Sequence, residues 1–200
     1  MDYPSQFERN IITHLYFEDT DAYDKFKIKD NKCIINKLAD FQIHNFLRDN
    51  VFENLVYLEF TNRFKHSIKG ILPKKLKTLV FGTEFNLFFE KDDLPNTLIS
   101  LTLGYNYKHM LINLPTSLTK LELVTQNPEV FNTIPPSVKI LIIYGNLIRS
   151  NDCGRLTDNL PIGLEKLVIN YFTIEKVNLL KKIPFDCKVY DEKNEIIQLD

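Results

Sequence analysis

The side chains best suited to chemistry are few and scattered. Four histidines, His14, His44, His66 and His109, share no HxH or HExxH spacing, so the sequence sets no imidazole pair to hold a zinc ion. His66 and His109 read as solvated residues of connecting loops. Three cysteines, Cys33, Cys153 and Cys187, are odd in number and far apart, which fits neither a disulfide framework nor a CxxC site. Cys33 and Cys153 would be nucleophiles only beside a base, and the sequence identifies none. Cys187 falls where a small apolar filler is expected. The adjacent carboxylates Asp92 and Asp93 read as a polar turn, with weak cation binding as the alternative. Only six glycines occur, and no GxSxG elbow, phosphate-cradling loop or dinucleotide fingerprint is among them. The expectation is a chain with no catalytic residue, no metal and no cofactor.

Composition narrows the classes further. Two hundred residues, 44% apolar and 26% charged, suit one globular domain with a short appendage. A net charge of −1 leaves no basic face for a phosphate backbone, so nucleic acid is not an expected partner. No run approaches ~18 uninterrupted apolar residues, and the acidic start MDYPSQFERN lacks a basic and apolar leader. Neither a membrane span nor export is expected. Together with the unpaired cysteines this points to the cytoplasm.

The elements that would position any site come from a repeat. Leu72-Pro73, Leu94-Pro95, Leu114-Pro115, Ile134-Pro135 and Leu160-Pro161 are each followed by apolar residues three, six and eight places after the proline. Leu55, Leu58 and Phe60 form a weaker first copy, with Phe52 at the proline position. Ile183-Pro184 opens a last one that fades into Cys187 and Tyr190. The final two apolar residues of each copy are two apart, which is strand periodicity. One such strand cannot bury itself; stacked copies can. Stacking makes one column of Leu58, Leu79, Leu101, Leu121, Leu141 and Leu167, and a second of Phe60, Phe81, Leu103, Leu123, Ile143 and Ile169. Each side chain contributes roughly 1.5–3 kcal/mol on burial. Phe64, Ile68, Phe85, Phe89, Tyr107, Leu111 and Phe131 should fill the convex side. Residues RSNDCGR at 149–155 read as an inserted surface loop.

These residues carry a resemblance. LPKKLKTLVFGTEFN, LPNTLISLTLGYNY and LPTSLTKLELV resemble the FNIP repeat, a leucine-rich-repeat relative of pattern LPxSLxxLxLGxxFN, and FNTIPPSVKILII holds its name-giving motif. The likeness covers residues ~51–190. It departs from the pattern at Lys108, in place of the second asparagine, and in the fourth and fifth copies, which lack the aromatic-Asn pair. Such repeats occur mainly in amoeboid protists and the giant viruses that infect them, which would place a viral copy in the host cytoplasm. The resemblance implies an α/β repeat fold, a leucine-rich-repeat-like solenoid at 51–190. It would have a parallel concave sheet of about six short strands, a largely irregular convex side and a protein-binding role. Residues 1–50 would form an N-terminal cap and 191–200 a charged tail.

Strand residues between the core columns should face the concave side. They are small and polar in the first copies, whereas Val124, Ile140, Ile142, Tyr144 and Val168 gather in the later ones, rimmed by Lys120, Glu122 and Lys166. An apolar centre with a charged rim is the anatomy of a protein interface, although β-branched residues also suit strands on their own account. Six strands offer only roughly 450 Å², below the ~800 Å² per partner of a standard interface, so loops or the N-terminal segment would have to contribute.

Residues 1–50 lie outside the repeat. Pro4, Phe7, Ile11, Ile12 and Leu15 fall on one face at helical spacing, with Ser5 in the first turn. The acidic run Glu18, Asp19, Asp21 and Asp24 should end that helix or form an exposed loop. Residues 26–38 fit either a hairpin turning at Asp30-Asn31 or a second helix through Ile34, Ile35 and Leu38. The first helix also resembles the start of an F-box, with Gln6, Phe7, Ile11, Ile12, Leu15 and Asp19 at matching places. That resemblance implies that Pro4, Phe7, Ile11, Ile12 and Leu15 dock on a Skp-type adaptor and that the solenoid holds a ubiquitination substrate. The chain has no tryptophan for the second half of that motif. The other reading of the segment is an amphipathic cap on the first repeat.

Overall fold

A computed structural model describes residues 4–18, 26–36, 40–49, 52–124, 128–144, 160–170 and 182–198. Its elements in chain order are α1 (Gln6–Ile11), β1 (His14–Glu18), β2 (Phe26–Lys29), β3 (Lys32–Asn36), α2 (Asp40–Asp49), β4 (Tyr57–Glu59), β5 (Thr78–Val80), β6 (Ser100–Leu103), β7 (Lys120–Val124), β8 (Ile140–Tyr144), β9 (Lys166–Asn170) and β10 (Lys188–Tyr190). A 3-10 turn at Pro128–Thr133 follows β7.

The stacked-rung expectation holds. β4 to β10 pair in sequence order, all parallel, with Leu58, Leu79, Leu101, Leu121, Leu141 and Leu167 in one register column. Both columns are buried, as are Phe64, Phe85, Phe89, Tyr107, Leu111 and Phe131 on the other side. The repeated proline has a defined job: its carbonyl accepts from the apolar residue three places on, Leu76, Leu98, Leu118, Val138 and Leu164, at 2.9–3.2 Å. Each copy thus opens with the same turn, whose first residue has φ fixed by its ring.

Side chains tie one coil to the next at repeat spacing. Thr97 Oγ1 lies 2.7 Å from the Lys74 carbonyl and 2.8 Å from that of Leu76. Asn86 Oδ1 accepts from the Lys108 amide at 3.0 Å, which shows what the asparagine of the aromatic-Asn pair does. Its aromatic partner Phe85 stacks on Phe81 with centroids 3.7 Å apart. Gly82 and Gly104 sit where successive backbones nearly touch: a Cβ on Gly104 would lie 2.1 Å from the Gly82 carbonyl oxygen.

The N-terminal segment differs from the single amphipathic helix expected. Ser5 and Glu8 form a reciprocal cap, with the Ser5 amide 2.7 Å from Glu8 Oε2, and α1 starts there as the sequence suggests. It stops at Ile11, because the β-branched run Ile11-Ile12-Thr13 favours extension and the Asn31 carbonyl captures the Thr13 and His14 amides. Leu15 belongs to β1, not to the helix. It joins the first core column beside Leu58, and Phe17 joins the second beside Phe60. β3 lies parallel on the far side of β1 and adds Cys33 and Ile35 to the columns. Residues 26–36 are the hairpin, turning through Asp30 and Asn31 at φ 51° and 62°. Within 51–190 the parallel sheet has the expected extent, β4 to β10, and the N-terminal strands continue it, giving ten strands among the described residues in the order β10-β9-β8-β7-β6-β5-β4-β1-β3-β2. α2 lies in the connection from β3 to β4 and buries Ile43, Phe46 and Leu47.

The last copy shifts by one residue. Cys187 donates to the Pro184 carbonyl as its counterparts do, but the strand then begins one position early. Val189, not Tyr190, pairs with Leu167 in the core column, and Tyr190 turns to the concave row beside Val168. The charged tail folds back, with the Ile197 amide on the Val189 carbonyl at 2.9 Å and an antiparallel bridge from Ile196 to Tyr190. Cys153, the 149–155 insertion, and Asp19, Asp21 and Asp24 lie outside the described residues.

Candidate protein interface

Two rows of side chains cross the concave face. The first reads Lys32, His14, Tyr57, Thr78, Ser100, Lys120, Ile140, Lys166 and Lys188. The second reads Ile34, Tyr16, Glu59, Val80, Thr102, Glu122, Ile142, Val168 and Tyr190. The ten described strands, three to five residues long, give a face of roughly 650 Å², most of the ~800 Å² that one partner contributes to a standard interface.

The later strands carry the apolar cluster. Ile140, Ile142, Tyr144 and Val124 are half-buried, and so are Lys120 and Glu122 beside them. Two expected members differ. Val168 is only 9% exposed, since its row neighbours Ile142 and Tyr190 flank it on both sides. Lys166 is not a free rim charge: its ammonium stands 4.2 Å from the Tyr190 ring centroid and 2.6 Å from Asn194 Oδ1. The shifted register of the last copy supplies both partners.

The other end of the face is built by β1, whose Leu15 also fits the helical spacing expected of residues 4–15. His14-Leu15-Tyr16-Phe17-Glu18 alternates, and that period of two was the available signal. Tyr57 stacks with His14 at 5.4 Å and meets Tyr16 at a tilt of 37°, centroids 4.9 Å apart, and its hydroxyl donates to Glu59. Burial first, then that hydrogen bond and the charges of Glu59 and Glu122, push the Tyr57 phenol above its ordinary range. Burial, with Lys32 nearby, holds the His14 imidazole below its ordinary value.

The five residues expected to meet an adaptor do not share one exposed face. Pro4, Ile12 and Leu15 are buried, Ile11 is 42% exposed, and the Phe7 side chain lies outside the described ones. Several of the other reactive residues that the structure describes take part in holding it together. The His44 ring donates from Nδ1 to the Ser67 carbonyl and the His109 ring from Nε2 to the Asn86 carbonyl, each fastening neighbouring coils. Burial, reinforced by Glu8, pushes the Cys33 thiol up to about 12, so at neutral pH it is protonated and a poor nucleophile. Asp92 takes the left-handed backbone of a turn at φ 68°, and Asp93 accepts from the Glu90 amide. Among the described residues no three His, Cys, Asp or Glu side chains gather to hold a metal ion, and no helix is long and apolar enough to cross a membrane.

Comparison with known proteins agrees with this geometry. The model of the FNIP repeat matches residues 64–106 and 85–126. Among solved structures, the chain is similar to CroV588, described as a novel circular leucine-rich-repeat protein, at 23% identity and a TM-score of 0.52, over 90% of this chain and 23% of that one. It is also similar to the leucine-rich-repeat-containing protein LegL7 from Legionella pneumophila, at 19% identity and a TM-score of 0.53, over 80% of this chain and 63% of that one. The chain thus spans less than two thirds of the length of either. No curated protein matches it. Residues 64–126 match the FNIP repeat model, and they form the middle of a parallel solenoid whose fold is like that of these leucine-rich-repeat proteins.

Proposed function

We propose that the chain is a non-enzymatic interaction module that holds a partner protein on its concave face, centred on β7, β8 and β9. The observation that carries this reading is the row Ile140, Ile142 and Tyr144, half-exposed on a strand whose alternate residues Leu141 and Ile143 already fill the core. The fold does not need bulk at the outer positions. Thr78, Ser100 and Thr102 occupy them on β5 and β6, where the backbone is the same. An apolar patch that the core does not require, with Lys120 and Glu122 beside it, supplies what a protein interface uses.

The test is affinity capture from an amoebal lysate with Ile142→Glu against the parent chain. The variant should lose the captured protein and keep its thermal midpoint within a degree or two, since Ile142 points away from the core. Equal recovery by both chains would overturn the reading. Thr78→Glu, on the small-residue coils, should retain capture. The alternative of a ubiquitin-ligase receptor gains no support from residues 4–18, where Ile12 and Leu15 are built into the core.

A further inference from the structure

The hairpin extends both concave rows onto β2. Lys29 lies directly opposite Lys32 in the first row, and Lys27 opposite Ile34 in the second, while Ile28 faces Cys33 on the core side. All three lysines are exposed, and among the described ion pairs none includes any of them. Like charges directly opposite one another destabilise a sheet. Lysine on an edge strand guards against stray pairing, which accounts for Lys27 and Lys29. It does not account for Lys32, whose strand is paired on both sides, or for setting Lys32 across from Lys29. Next to the lysines the floor is apolar and aromatic. Ile34 is half-buried, and Tyr16 beside it meets Tyr57 with centroids 4.9 Å apart. The described carboxylates at this end are Asp30 in the turn, Glu18 one row beyond Tyr16, and Glu59, which accepts from the Tyr57 hydroxyl.

A repulsion kept on an exposed face is relieved when an anion settles on it. We propose that this end of the concave face receives an acidic stretch of the partner protein, its carboxylates on Lys27, Lys29 and Lys32 and an apolar residue over Ile34 and Tyr16. This rests on the concave-face function proposed above and specifies part of the partner's chemistry. Carboxylates suit the site better than a phosphate backbone, whose evenly spaced charges would meet Glu18 and Glu59 as the rows continue. Pairs made by exposed lysines are individually weak, so they set orientation and partner choice while the apolar cluster on β8 supplies contact area. β3 and β8 are six strand spacings apart, ~29 Å, about the width of a small folded domain.

The experiment titrates the acetylated and amidated pentapeptide EELEE into the full chain, isotope-labelled at isoleucine and histidine and read by NMR. The neutral peptide QQLQQ serves as the control, and single-stranded oligothymidylate as the competing chemistry. The Ile34 and His14 signals should shift saturably with EELEE, less so as salt rises, and not with QQLQQ. Lys29→Gln and Lys32→Gln should each weaken binding about threefold. Lys188→Gln, at the other end of the same face, should leave it unchanged. No saturable shift, an equal response to QQLQQ, unchanged binding in both hairpin variants, equal weakening by Lys188→Gln, or tighter binding of oligothymidylate than of EELEE would overturn the assignment. The two proposals fail separately. If EELEE does not bind while Ile142→Glu still abolishes capture, the acidic-segment site is wrong and the concave interface stands. If EELEE binds while Ile142→Glu captures normally, the basic end stands and the interface centred on β8 is wrong.

Discussion

The coils of β4–β6 and those of β7–β9 share one backbone register and differ in where they keep their bulk. In the first group the interior is aromatic: Phe60 stacks on Phe81 at 5.2 Å, Phe81 on Phe85 at 3.7 Å, and Phe85 on Tyr107 at 6.4 Å. Over those strands the concave face past Tyr57 and Glu59 is small. In the second group the columns are aliphatic, Leu121, Leu123, Leu141, Ile143, Leu167 and Ile169, and the large residues stand outside. Repetition constrains only what coils share, namely the columns that seal them. The outer rows answer to no neighbour in that way and are free to differ from coil to coil.

Five substitutions probe that contrast. Phe85→Ala removes a ring that touches four others and should cost about 4 kcal/mol, whereas Leu123→Ala in the aliphatic group should cost about 3, both read from urea midpoints. Equal losses would mean that the aromatic stack adds nothing beyond burial. Gly104→Ala should cost about 3 kcal/mol, since the new carbon would overlap the Gly82–Thr83 backbone of the preceding coil. Gly163→Ala, whose nearest neighbour would be the Pro136 carbonyl at 3.9 Å, should change the midpoint little. A harmless Gly104→Ala would show that the early coils are not as tightly seated as they look. Thr97→Val keeps the shape and deletes the hydroxyl shared by two carbonyls of the preceding coil, so a loss of about 1 kcal/mol is expected.

The middle of the molecule was legible because proline, leucine and the 3-6-8 spacing recur, and no helix satisfies all of them at once. The ends were not, for two physical reasons. Phe7, Ile11, Ile12 and Leu15 fit a 3.6-residue period as well as Leu15 and Phe17 fit a period of two. What decides between them is long-range, the Asn31 carbonyl that takes the Thr13 and His14 amides. In the last copy a single missing residue moved Val189 into the column and Tyr190 out of it, a change that spacing from Pro184 alone reads the wrong way. The site suffered accordingly. Ile140, Ile142 and Tyr144 followed from alternation. His14 and Tyr16 did not, since Leu15 between them also completes a helical period, and the shielding of Val168 and the tethering of Lys166 both depend on the shifted copy.

One feature of the hairpin reaches beyond a single molecule. Every pairing from β3 through β1 to β10 is parallel, and a stack of that kind could in principle go on adding molecules without end. β2 runs the other way and shows Lys27 and Lys29 to solvent. A second molecule arriving there would meet a reversed rung and two positive charges, which closes that end to fibre growth.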